Sequence, residues 1–134
     1  MKVQTKTTVQ INVAPVFSDA TTAVCELHPR RNADEAYVSG GIVQLPPSGA
    51  PYEIEFYLEP PTTPLAFDRD DPWACKFGGC PSPGDHDPQF GHPRVDSSGK
   101  VLTVDSPPGP GKRALHYSLN FAGGARFDPI IVKG

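Results

Sequence analysis

Proline is the residue that most limits what this chain can become. Seventeen of its 134 residues are proline, and they fall throughout the sequence. A proline fixes φ and removes a backbone donor, so it breaks helix interiors and is excluded from central strands. Every element must therefore be short and bounded. No window of about a dozen residues combines helical periodicity with an interior free of Pro and Gly, which excludes long amphipathic helices. What remains between the prolines is period-two alternation.

Val9, Ile11 and Val13 alternate with Gln10 and Asn12, a half-buried strand that ends at Pro15. Ala23, Cys25 and Leu27 share one face of a strand that stops at His28-Pro29, and Arg30 to Glu35 reads as a charged turn. Tyr37 to Leu45 is a strand interrupted at Gly40-Gly41, read as a bulge. Tyr52, Ile54, Phe56 and Leu58 alternate with Glu53, Glu55 and Tyr57. Lys100 to Asp105 follows the turn Asp96-Ser97-Ser98-Gly99. Leu115, Tyr117, Leu119 and Phe121 form another alternating strand, and Ala122-Gly123-Gly124-Ala125 turns it into a last strand, Phe127 to Lys133. Pro129 near the start of that last strand suits an edge.

The expected fold is one all-β domain over 1–134, an immunoglobulin-like β-sandwich of about seven strands. One long Pro/Gly/Asp-rich loop excursion, at 59–99, interrupts it. The length is sufficient for a single hydrophobic core. The Cys pair of antibody domains is missing, since Cys25 has no second Cys on Leu115 to Phe121, and the Trp and Cys signature as a whole does not appear.

The C-terminal hairpin, HYSLNF followed by FDPIIVKG, together with LEPPTTP in mid-chain, resembles the DP-EP family of small bacterial proteins. The matching residues are Asp128-Pro129 and Glu59-Pro60. The resemblance implies an immunoglobulin-like β-sandwich and carries over no activity and no catalytic residue.

Charge and hydropathy exclude several partners. The net charge is −3, with both signs scattered, and no basic stripe exists to follow a nucleic-acid backbone. No apolar run approaches the roughly 18 residues of a helical membrane span. The N-terminus, MKVQTKTTVQINV, lacks the continuous apolar stretch and small-residue cleavage site of a secretory signal. A cytoplasmic location and reduced cysteines are expected on that basis.

The excursion holds the unusual residue types. Cys75, Cys80, His86 and His92 form C-x4-C-x5-H-x5-H, two thiols and two imidazoles as tetrahedral zinc prefers, although the spacing matches no established finger or ribbon. Cys75 and Cys80 could instead close a small disulfide loop across Phe77-Gly78-Gly79. Cys25, on an inward face, reads as a small buried hydrophobe.

Asp68, Asp70, Asp71, Asp85 and Asp87 are oxygen-rich, but they lack the offsets of a calcium loop and read as turn formers. Glu53 and Glu55 read as a solvated face, because nothing apolar surrounds them to raise one carboxyl. No G-x-S-x-G elbow and no phosphate-binding loop is present, and Ser82, Asp85 and His86 are only sequence neighbours. Phe67, Trp73, Phe77 and Phe90 read as anchors that pin the excursion to the sheets.

The leading functional reading is a non-enzymatic binding or interaction module with no catalytic residue and no cofactor, a protein being the candidate partner. One alternative is a zinc protein built on the 75–92 loop. The other is a structural subunit that assembles through an edge strand such as Phe127 to Lys133.

Overall fold

A computed structural model describes residues 7–39, 42–45, 51–77, 91–106, 113–127 and 130–133. Among these the chain forms eleven strands and no α-helix. They are β1 (Thr7–Ser18), β2 (Ala23–Pro29), β3 (Val38–Ser39), β4 (Ile42–Leu45), β5 (Tyr52–Leu58) and β6 (Trp73–Phe77). Then come β7 (Gly91–Val95), β8 (Val101–Ser106), β9 (Arg113–Asn120), β10 (Arg126–Phe127) and β11 (Ile130–Lys133). A single 3₁₀ turn covers Asn32–Asp34. No helix among the described residues is long and apolar enough to cross a membrane.

The strands build two sheets. One has the order β2-β1-β5-β8-β7. In the other, β9 pairs with β6 on one side and with β10 and β11 on the other, and β11 continues through β4 to β3. Two pairings are parallel, β1 with β5 and β11 with β4.

Alternation decides which face is buried. Val9, Ile11, Val13, Ile54, Phe56, Leu102 and Val104 are fully buried and join residues of the second sheet in one core cluster. Phe56 of β5 lies 5.9 Å from both Trp73 of β6 and Tyr117 of β9, and Trp73 stacks on Tyr117 at 4.8 Å. These three rings tie the two sheets together, and such pairs add about 1 kcal/mol each beyond the apolar area they bury.

Four sequence expectations are corrected by this architecture. The strand from Tyr37 to Leu45 is two strands, because Val38 pairs with Val43 and Ser39 with Ile42, antiparallel. Only two residues separate Ser39 from Ile42, and Gly-Gly between short β runs suits a hairpin connection as well as a bulge. The first strand does not end at Pro15 but runs on to Ser18. Leu58, at the end of β5, pairs with Val13, so the side of β1 to which Pro15 would offer its missing N–H has no further ladder to serve.

The third correction concerns the excursion 59–99, which contains β6 and β7 and is not one loop. The fourth concerns Phe127 to Lys133. Phe127 belongs to β10, while Ile130–Lys133 forms β11, which lies between β9 and β4, so that part is a central strand and not an edge. Its unbroken Ile130-Ile131-Val132 run is what a central strand carries. Gly40-Gly41 and Asp128-Pro129 lie outside the described residues.

The expected turns are present. Gly99 has φ of +78° and its N–H donates to Asp96 O at 3.1 Å. Asp96 Oδ1 also accepts from Ser98 Oγ and from the N–H groups of Lys100 and Val101. Burial alone would raise the Asp96 carboxyl, and these bonds outweigh it and hold the group below its usual range. Gly123 and Gly124, at φ of +94° and +107°, close the turn between β9 and β10. Lys100 Nζ donates to the carbonyls of Thr63 and Leu65, which fastens the segment after β5 onto β8.

Candidate interaction surface

The outer face of the five-stranded sheet is polar, and its charges are paired. Arg94 spans Glu53 at 2.9 Å and Asp105 at 3.1 Å. Gln10 Nε2 donates to Glu55 Oε1 at 2.8 Å, and Tyr57 OH donates to the same oxygen at 3.2 Å. Burial, then the neighbouring Glu55, raises the Tyr57 phenol above its usual value. Arg30 stacks on the Tyr57 ring at 4.0 Å while donating to Asn12 and Glu59. Glu53 and Glu55 thus serve separate partners, and neither is set as the acid of an acid–base pair.

The charged turn at Arg30 to Glu35 has a specific task. β1 outruns β2, whose last pairing sets Ile11 against Pro29. The β1 groups beyond that point are taken up by the turn. Arg30 N donates to Gln10 O at 3.1 Å, Gln10 N donates to Asp34 Oδ1 at 3.0 Å, and Arg31 Nη2 donates to Thr8 O at 2.7 Å. Asp34 is fully buried, and it also accepts from Arg31 N, Nε and Nη2, each at 2.9 Å. Burial pushes its carboxyl up, but these donors prevail and hold it below the usual value. Sequence reading missed Asp34, because nothing local marks one aspartate of a charged turn as buried.

Of the four predicted metal ligands, Cys75 and His92 lie among the described residues. Cys75 is a thiol on the core face of β6, 1% exposed, and opposite Tyr117 in the β6–β9 register. His92 belongs to β7, in the other sheet. Cys80 and His86 lie outside the described residues, as do Asp85, Asp87 and Phe90. No group of three or more His, Cys, Asp or Glu among the described residues is placed to hold a metal. Cys25 is buried as expected, and burial pushes its thiol up to about 11, far from a reactive thiolate.

Two of the four aromatics expected to pin the 59–99 segment, Phe67 and Trp73, do so. Phe67 is buried and stacks on Phe121 at 5.5 Å, and Trp73 is buried in the central ring cluster. Asp68 Oδ1 accepts from the N–H groups of Asp70 and Asp71, the expected turn use of aspartate. Beside it lies a depression of about 140 Å³, lined by Asp68, Asp71, Asn120, Phe121 and Arg126 among others. Its polar wall is tied up internally. Asn120 Nδ2 donates to Asp71 O, Ser118 Oγ donates to Asn120 Oδ1, and Arg126 Nε donates to Ser118 Oγ. A small-molecule site usually needs roughly 300 Å³ or more.

The far end of the β1–β2 hairpin differs from the rest of the surface. Val9, Ile11 and Val13 put the odd positions of β1 inward, a phase that would bury Phe17. The register shifts instead between Pro15 and Phe17, leaving Val16 as an extra residue. Past this bulge Phe17 pairs with Val24, whose neighbours Ala23 and Cys25 are the inward residues of β2. The bulge therefore turns an aromatic side chain from the core to solvent, as bulges do when they re-aim a residue.

Val16, Phe17 and Val24 are 63%, 57% and 47% exposed, and they are the large exposed apolar side chains among the described residues. Asp19 fixes the adjoining turn by accepting from Thr21 N and Thr22 N, which lowers its carboxyl. In the sequence the only trace of this surface is Val16-Phe17, two adjacent apolar residues that break a clean alternation. The chain matches no model of a known protein family, and no curated protein matches it.

Proposed function

We propose that the chain is a non-enzymatic interaction module, an immunoglobulin-like β-sandwich that offers the tip of its β1–β2 hairpin to another protein. The connectivity supports the sandwich reading. β5-β8-β7 has the order of strands B, E and D, and β6-β9-β11 has the order of C, F and G. β4, parallel to β11, stands where a first strand would lie against G. On this reading β10 and β11 share the place of G beside β9, and β1, β2 and β3 are additions to a seven-strand frame. Trp73 then holds the place of the strand-C tryptophan, with Phe56 and Tyr117 packed where antibody domains carry a disulfide.

The observation that carries the functional reading is the bulge that exposes Phe17 opposite Val24. Aromatic side chains are enriched at the cores of protein interfaces, and contiguous exposed apolar patches mark interaction sites. The zinc alternative draws no support from Cys75, which faces the core.

Photo-cross-linking tests this proposal. With benzoylphenylalanine at position 17 in the producing cell, a discrete protein adduct is expected in several-fold higher yield than with the same probe at Ala36, an exposed turn residue. Equal yields at the two positions would refute the reading.

A further inference from the structure

β2 is the outermost strand of its sheet, and its backbone polarity can be read from the ladder. Arg30 N donates to Gln10 O across the Ile11–Pro29 pair. In an antiparallel ladder this makes Ile11–Pro29, Val13–Leu27 and Pro15–Cys25 the wide pairs, whose own N–H and C=O groups point away from the partner strand. The N–H and C=O of Cys25 and Leu27, and the C=O of Pro29, are therefore directed outward from β2. At the start of β2 the outward side is already occupied, because Arg126 bridges to Thr22 and donates its N–H to Thr21 O. Among the described residues the open stretch is Cys25 to Pro29.

We propose that this stretch pairs antiparallel with β2 of a second copy, Leu27 against Leu27, to form one continuous sheet. The inference goes beyond the interaction-module reading, because it uses the edge of β2 and not the exposed tip at Val16 and Phe17. Register and charge both select this arrangement. Centring the pair on Cys25 would place Leu27 of the second copy against Ala23, where Arg126 stands. Centring it on Glu26 would set two glutamates face to face, a destabilising like-charge pair.

Centring on Leu27 gives four backbone hydrogen bonds by the antiparallel rule: two between the leucines, and one from each Cys25 N–H to Pro29 O of the other copy. Pro29 accepts but cannot donate, so each Cys25–Pro29 pair makes one bond instead of two and the Cys25 carbonyl is left to solvent. On the solvent face Glu26 of each copy then lies opposite His28 of the other. Both side chains are more than half exposed and already meet within one strand at 3.0 Å, so they are free to exchange partners. A two-fold axis makes the patch self-complementary.

Sedimentation velocity on the purified full chain across the micromolar range tests this inference. A concentration-dependent species of twice 14.4 kDa is expected. Glu26→Lys should weaken it about tenfold, because it removes the carboxylate that faces each His28 across the junction and sets a lysine in its place. Glu26→Lys with His28→Glu should restore it. A chain that stays monomeric throughout would overturn the second-copy inference, while adduct formation at position 17 would still stand as the separate test of the module. A dimer unaffected by Glu26→Lys but lost in Phe17→Ser would also overturn the β2 register.

Discussion

Asp34→Ala is expected to lower the stability of the fold by about 3 kcal/mol, a large loss for a single substitution near the surface. The carboxylate is fully buried and satisfies one strand-end group directly and another indirectly: Gln10 N through Oδ1, and Thr8 O by holding Arg31 in place. Alanine leaves the Gln10 donor unsatisfied and the Arg31 guanidinium without its carboxylate, and orphaned groups carry most of the cost. Asp34→Asn keeps one acceptor oxygen but no charge, so its stability should fall between those of wild type and Asp34→Ala.

The pH dependence follows from the sign of the shift. Asp34 is held below the carboxyl value it has in the unfolded chain, so the unfolded state binds its proton first and stability falls with pH. The contribution is complete above an unfolded carboxyl value of about 4 and is lost as pH drops through the lower native value. Asp19 and Asp96 shift in the same direction, so the diagnostic quantity is the difference between wild type and Asp34→Ala. Urea denaturation should show that difference shrinking from neutral to strongly acidic pH. A constant difference would mean that the carboxylate charge is not what matters.

The second large effect lies in the ring cluster. Trp73→Ala should cost about 4 kcal/mol, since it removes the ring that stacks on Tyr117 and touches Phe56. Tyr117→Phe should do the opposite. The Tyr117 hydroxyl is fully buried and has no hydrogen-bond partner among the described residues, so its desolvation is uncompensated. Burial accordingly drives its phenol well above the usual value. Removing that oxygen should raise stability by about 1 kcal/mol, read as a higher denaturation midpoint at unchanged slope. A loss in Tyr117→Phe would show that the hydroxyl has a partner after all.

Period-two patterning was enough to locate β5 with its buried face and the strand β9, because each is a run of alternating large apolar residues. Asp96 to Gly99 and Ala122 to Ala125 were legible because turn chemistry is local. β6 was not. Trp73-Ala74-Cys75 is short and sits among prolines and aspartates, and what makes it a strand is β9, more than forty residues away in sequence. Asp34 was invisible for a related reason: its burial follows from β1 being longer than β2. Phe17 was missed because a single inserted residue reverses every side chain after it, and alternation cannot say where an insertion lies.

The bulge at Val16 sends Phe17 out of the core, and the fold stands without that ring. Denaturant unfolding of Phe17→Ser tests this directly. A change within about 0.5 kcal/mol of wild type is predicted, as for an ordinary surface position. A loss of about 3 kcal/mol or more, the cost of emptying a buried phenylalanine site, would contradict it.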